Sequence, residues 1–478
     1  MDVIYPAHSS EAQLARLQQA YAGQRSAYAQ APYPALATRK HNLLQLEKLL
    51  LDNQQRIADA IRADFGNRSE HETRLLEIFA SVEGLRHTRK HLRSWSKARS
   101  RPVALWFQPA RARVIPQPLG VVGIIVPWNY PVFLSVGPLT AALAAGNRAV
   151  VKMSEFTPHT GELFASLIGE YFDEQTISVI NGGADVAAKF STLAWDHLLF
   201  TGSTGVGRHV MRAAAENLTP VTLELGGKSP TIIGPDYPID AAAASILYGK
   251  CLNAGQTCVA PDYVLLPEGK ADAFLAAARE SVAKLYPTMA ANGDYTAIIN
   301  QRHLQRLQGY LAEAAEQGAH VVPLSPPGES LDGSGKLAPT LVFNPGEATR
   351  LMQDEIFGPI LPVLTYRSLD QAIAFVNARP RPLALYYFER DKQRIEQMMR
   401  QTIAGGVSIN DVILHVAQHD LPFGGVGPSG IGHYHGKEGF DTFSKLKPVF
   451  MQSRINGVGL LKPPYGRLFQ LMLRLMLR

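Results

Sequence analysis

The sequence predicts an α/β protein built on doubly wound, mostly parallel sheets, and three observations carry that prediction. Apolar runs such as "VVGIIV" (121–126) are continuous rather than alternating, as in strands buried on both faces. Helical segments separate such runs from about residue 119 onward. At 478 residues the chain is long enough for two or three domains with large cores.

Taken in order, Leu43, Leu46, Leu50, Ile57, Ile61 and Phe65 recur at helical spacing, which predicts one long amphipathic helix over 35–65, ended by Gly66. A second helix is expected over 70–95. After the strand "VVGIIV", an Ala-rich helix in "GPLTAALAAGN" leads to the strand "RAVVKMS", a helix over 159–171 and the strand "ISVIN". A helix at 186–191, the strand "HLLFTGS" and a helix over 206–217 complete the first alternation. "VTLELGGKSPTIIG" (221–234) opens a second α/β unit that runs to about residue 413. Without a Gly/Ser linker between them, the two units should pack closely around a cleft.

Lys and Arg (47) outnumber Asp and Glu (41), but they are spread along the chain. The densest run, "RHTRKHLRSWSKARSRP" (86–102), falls on a predicted helix and reads as a solvated face, so no nucleic-acid partner is expected. Two cysteines without a C-x-x-C exclude a disulfide framework and point to a reducing, cytoplasmic setting. "MDVIYPAHSSEAQ" lacks the basic-then-apolar order of a secretory signal. The tail "GRLFQLMLRLMLR" (466–478) is too short and too charged to span a bilayer; it fits a membrane surface, a partner subunit or the protein's own body.

Several motifs fail on context. Gly425, Gly427 and Gly430 spell G-x-G-x-x-G, but no strand precedes them and a glycine-rich stretch follows, so they read as a loop closing over something. "GGKS" (226–229) has Thr222 where a phosphate loop needs its first glycine. His415 and His419 stand at zincin spacing without the glutamate, and no metal is expected.

The cysteines lie in "GKCLNAGQTCVAPDY" (249–263). Cys251 continues an apolar helix, where a thiol acts as a small hydrophobe. Cys258 follows the helix-ending Asn253, Gly255 and Gln256 and precedes Pro261, so it lies on a turn where free backbone N–H groups can face an anion. The turn position favours Cys258 as a nucleophile.

"NAGQTCVAPDY" resembles the cysteine segment of the aldehyde dehydrogenase superfamily. "PWNYP" (127–131), "VVKMSEFTP" (150–158), "LLFTGSTGVG" (198–207), "LELGGKSP" (223–230), "DEIFGP" (354–359) and "LPFGGVGPSGIGHYHGKEGFDTFS" (421–444) match it in order, over about residues 35–450. "WNYP" and the "YHGK…FDTFS" ending look like the class 3 branch; "INDVILHVAQHDLPFGGVGPSG" is similar to coniferyl aldehyde dehydrogenases within it.

The resemblance implies a Rossmann-like NAD-binding domain (1–104 and 119–224), a cysteine-bearing catalytic domain (225–413), oligomerisation strands (105–118 and 440–452) and a C-terminal tail (453–478). It implies that Cys258 attacks an aldehyde carbonyl, that Asn129 and the Cys258 N–H hold the resulting oxyanion, and that Glu224 activates water to release the acid. From spacing alone, Asn129 would be a turn residue and Glu224 a solvated strand carboxylate. Gly202, Ser203, Gly205 and Gly207 would meet a pyrophosphate at a helix N-terminus. Lys152 and Glu155 would hold the adenosine ribose, which favours NAD with NADP as the alternative cofactor. Glu355 and Phe357 would position the nicotinamide ribose, and Trp128 and Leu225 would also bind the cofactor. A homodimer oxidising aromatic, coniferyl-type, or long-chain aldehydes follows, with a CoA-acylating enzyme and a non-catalytic scaffold or membrane-surface binder as rivals.

Overall fold

A computed structural model describes residues 10–477. Residues 1–9, most of the stretch read for a secretory signal, and Arg478 of the tail lie outside the described residues.

Two sheets dominate. The first has six strands in the order Gly430–Ile431, Val221–Glu224, His197–Thr201, Val121–Ile125, Arg148–Lys152 and Ile177–Ile180, parallel except for the two-residue first strand. Val121–Ile125 comes first along the chain, which then adds strands outward on one side and returns to add them on the other. Its carboxyl end is therefore a topological switch point, where open α/β sheets bind ligands. The second sheet runs His320–Pro323, Thr340–Phe343, Ile360–Tyr366, Tyr263–Pro267, Pro230–Ile233, Ala384–Phe388, Gly406–Ile409, again parallel except at its first edge. The predicted fold class is the observed one.

The predicted helix over 35–65 is two, Leu36–Asp52 and Gln54–Phe65. Asn53 breaks it: its side-chain amide donates to the Leu49 carbonyl at 2.9 Å, competing with the helical ladder. The predicted helix over 70–95 holds, although Thr73–Phe79 winds as a π-helix before Ala80–Trp95. A further helix, Ser10–Gln30, has no strong apolar pattern. One of its buried residues is Gln24, which donates to the Ala149 carbonyl at 2.9 Å, so part of its docking face is polar.

Arg99–Arg101, Arg111–Pro118 and Ser444–Met451 form a small antiparallel sheet. Its long strands are shorter than the expected 105–118 and 440–452. Leu105–Phe107 is a 3₁₀ turn and Pro109 lacks a donor for the ladder, while Gly436–Thr442 is helical.

Candidate active site

Four parallel strands of the first sheet end along one edge, at Ile125, Lys152, Thr201 and Glu224. Trp128, Asn129, Lys152, Glu155, Gly202, Ser203, Gly205, Gly207, Glu224 and Leu225 sit at or just beyond these ends, whereas Cys258, Glu355 and Phe357 come from the second α/β unit.

After Thr201 the chain turns into the helix Thr204–Ala215, and the Ser203 hydroxyl caps it by accepting the Val206 N–H at 3.4 Å. Gly207 packs so closely on Leu225 that an added Cβ would lie 2.7 Å from its Cδ2. An added Cβ at Gly205 would meet nothing within 4 Å. The helix thus presents its first turn to open ground, where a phosphate can reach the unpaired N–H groups. At the neighbouring strand end, buried Lys152 donates to the Met153 and Gly182 carbonyls at 2.6 and 2.7 Å. Burial lowers its ammonium to about 8, opposed by Glu155 and Asp185. Glu155 itself is exposed.

The segment after Ile125 carries Trp128 and Asn129. Asn129 is buried, and its amide donates to the Gln256 carbonyl at 3.2 Å. Its own carbonyl accepts from Arg68 at 2.8 Å and from the Asn253 amide at 3.0 Å. Arg68 forms a fully buried ion pair with Glu77, whose second oxygen accepts the N–H groups of Val132 and Phe133 at 2.7 and 3.1 Å.

The cysteine loop is built the same way. Helix Ile239–Cys251 gives way to Asn253 and Ala254, both left-handed with φ of 50° and 49°. Glu72 accepts the Asn253 N–H at 3.0 Å. The Gln256 amide donates to Asn253 and Ala297 carbonyls at 2.9 and 3.1 Å, and its oxygen accepts the Ile299 N–H at 2.9 Å. Cys258 emerges on the following turn and is partly exposed, whereas Cys251 is 1% exposed. Sequence reasoning missed Arg68, Glu72, Glu77 and the cage formed by Asn253 and Gln256. The signal available was polar residues inside otherwise apolar stretches.

Burial pushes the Cys258 thiol up to about 12, with the carboxyls of Glu355 and Glu224 adding to the effect; the N–H groups of Cys258 and Val259 oppose it. Glu224 is 3% exposed, and neither carboxyl oxygen finds a hydrogen-bond donor among the described residues. Burial raises its carboxyl well above the usual carboxylate range. Glu224 pairs with Gly430, so the glycine-rich loop that mimics G-x-G-x-x-G lies against the strand carrying this acid. Glu355 is raised to about 8 by burial and by Asp262, opposed by the Gly227 N–H. An added Cβ at Gly226 would collide with its carboxyl. Phe357, at φ of 50°, meets Trp128 edge to face with centroids 5.4 Å apart.

One site therefore gathers a thiol flanked by N–H donors, an amide on the same loop cage, the buried acid Glu224 and the half-buried Glu355 within electrostatic reach, and a helix N-terminus. His415 is engaged elsewhere, with Nδ1 3.0 Å from the Ser408 hydroxyl. Among the described residues no group of three His, Cys, Asp or Glu is arranged to hold a metal.

A family model described as "Aldehyde dehydrogenase family" matches residues 2–449. The chain belongs to the aldehyde dehydrogenase family. Within it, a Pseudomonas aeruginosa protein named "Probable coniferyl aldehyde dehydrogenase" is 52% identical over 469 residues, covering 98% of each chain. The "Coniferyl aldehyde dehydrogenase" of a Pseudomonas sp. is 49% identical and covers 87% of each. Among solved structures, substrate-bound Staphylococcus aureus AldH superposes with a TM-score of 0.91 at 38% identity, covering 96% of this chain and 99% of that one. A Mycobacterium tuberculosis aldehyde dehydrogenase complexed with NAD+ gives 0.82 at 29%, covering 93% and 91%.

Proposed function

We propose that this aldehyde dehydrogenase oxidises aromatic aldehydes of the coniferyl type to their acids, using NAD or NADP. The observation that carries the chemistry is the pairing of a partly exposed thiol at Cys258 with a buried, unpartnered carboxyl at Glu224. The substrate class draws on the names of the relatives that are 49–52% identical.

Cys258 gives up its proton to solvent, its thiolate sulfur adds to the aldehyde carbon, and the carbonyl oxygen becomes an oxyanion. The Cys258 N–H and the Asn129 amide supply donors to it; one such preorganised donor is worth on the order of 10²–10³ in rate. A dinucleotide held at this site would supply the acceptor for the hydride of this carbon. Glu224 then takes a proton from water, which adds to the resulting thioester; the acid leaves and the cysteine is restored. Burial raises the proton affinity of Glu224, which strengthens it as a base in its ionised form.

The residues at the strand ends fit a dinucleotide. Gly202, Ser203, Gly205 and Gly207 would hold its pyrophosphate, Lys152 and Glu155 its adenosine ribose, and Glu355 and Phe357 its nicotinamide ribose, with Trp128 and Leu225 as further cofactor contacts. The division into NAD-binding, catalytic and oligomerisation units, and a homodimer formed through the small sheet, belong to the same reading. So does a reducing, cytoplasmic setting with the tail in peripheral contact with a membrane.

A panel of aliphatic, aromatic and hydroxycinnamyl aldehydes with NAD and NADP, compared by kcat/KM, tests it. The highest value is expected for a hydroxycinnamyl aldehyde; absence of aldehyde-dependent NAD(P)H formation across the panel would sink the proposal.

A further inference from the structure

The helical stretch from Glu70 to Trp95 changes pitch twice. Glu70–Glu72 is α-helical, Thr73–Phe79 is wound as a π-helix, and Ala80–Trp95 is α-helical again. In an α-helix, positions five apart lie about 140° apart around the axis. A π-turn closes on the fifth residue and brings such positions onto one face. Glu72 and Glu77 are five apart and stand at this turn.

Aligned in this way, the two carboxyls close a ring of contacts. Glu77 pairs with Arg68 at 3.1 Å. Arg68 donates to the Asn129 carbonyl at 2.8 Å, and the Asn253 amide donates to the same oxygen at 3.0 Å. The Asn253 N–H donates to Glu72 at 3.0 Å, which returns the ring to the π-helix. Glu72 is itself anchored: it accepts the Thr296 hydroxyl at 3.4 Å, and its N–H donates to the Ser69 hydroxyl at 3.4 Å.

The ring ties the segment carrying Asn129 to Asn253, the first left-handed residue of the loop that delivers Cys258. With α-helical winding throughout, one of the two glutamates would turn away and the ring would open.

We propose that Glu72 is a positioning residue for aldehyde oxidation: acting through Asn253, it fixes the cysteine loop against the Asn129 segment, and the π-turn aims it there. The inference rests on Cys258 and Asn129 as nucleophile and oxyanion donor. A misplacement of about 1 Å between such groups costs on the order of 10²-fold in rate. The loss falls on kcat, because the residues assigned to the pyrophosphate and the adenosine ribose lie outside the ring.

Steady-state kinetics of the full chain with NAD and a hydroxycinnamyl aldehyde test it. Glu72→Ala should lower kcat roughly 10²-fold, with KM for NAD unchanged. Glu72→Gln keeps an acceptor at the same reach and should retain most of the parent's turnover. Glu72→Asp keeps the charge but falls one methylene short of Asn253, and should resemble Glu72→Ala. The Gln and Asp variants decide the matter even where Glu72→Ala does not fold. Because the ring is closed, Glu72→Ala added to Arg68→Met should lower kcat little beyond Arg68→Met alone.

Parent-like kcat in Glu72→Ala, an inactive Glu72→Gln, an active Glu72→Asp, or losses that multiply in the double variant would overturn the proposal. So would a KM for NAD that rises in step with the fall in kcat, the mark of general loosening. Cys258→Ser, run in parallel, separates the two readings. Turnover surviving in it fails the catalytic assignment, whereas its inactivity beside a parent-like Glu72→Ala fails the positioning alone.

Discussion

Arg68 and Glu77 lie 3.1 Å apart with neither side chain exposed, and between them they grip both ends of the segment that carries Asn129. Arg68 holds the Asn129 carbonyl, and Glu77 holds the amides of Val132 and Phe133. A buried pair of this kind positions more than it stabilises, but removing one partner strands the other charge.

Arg68→Met should therefore cost about 3–5 kcal/mol of stability in chemical denaturation. Adding Glu77→Gln to it should recover part of the loss without restoring turnover. If the single variant matches the parent in both respects, the grip on Asn129 has no consequence.

The two thiols should separate cleanly. Cys258→Ser should abolish aldehyde oxidation, and Cys251→Ser should leave it nearly unchanged. Because burial pushes the Cys258 thiol up to about 12, it is protonated at neutral pH and its thiolate fraction grows with pH. Inactivation of the cofactor-free protein by iodoacetamide should accelerate about ten-fold per pH unit between roughly 7 and 10. A plateau in that range would contradict the assignment.

Glu224→Gln should give one burst of NAD(P)H and then stall, with steady-state turnover down about 10²–10⁴-fold. Added coenzyme A restoring turnover would favour the acylating enzyme. The same variant has a stability signature. Glu224 binds its proton more tightly folded than unfolded, so its contribution is full below the ordinary carboxylate range and is lost as pH rises through its raised folded value. Glu355, at about 8, works in the same direction. The midpoint of the parent relative to that of Glu224→Gln should therefore fall as pH rises from 5 to 8.

Gly205 and Gly207, two residues apart, should behave oppositely. Gly207→Ala drives a methyl to 2.7 Å from Leu225 and should cost about 1–3 kcal/mol. Gly205→Ala meets nothing and sits in a helix, so it should stabilise by about 0.5–1 kcal/mol. It should nevertheless raise KM for the dinucleotide, because the new methyl occupies the ground a phosphate needs. Unchanged cofactor affinity in Gly205→Ala would move the pyrophosphate elsewhere.

The buried strands were legible because both faces of each are apolar, so "VVGIIV" and "HLLF" need no alternation to be read. The helix over 35–65 was misread because its apolar spacing continues across Asn53, and only the side-chain bond to Leu49 breaks it. Ser10–Gln30 escaped because Gln24 docks through an amide that no hydropathy pattern marks. Cys258 stood out by its turn. The residues that hold its loop did not, since Glu72 and Gln256 acquire their meaning only from partners such as Asn253 and Ile299.

Asn253 and Ala254 adopt left-handed backbone one after the other, a conformation that costs a non-glycine residue roughly 1–2 kcal/mol. Ala254 is wholly buried, so its methyl is kept in the core at the expense of a relaxed main chain. A tensed loop of this kind slackens when its tethers loosen, and the tethers are a handful of hydrogen bonds. Heat should accordingly disarm the enzyme some degrees before it unravels.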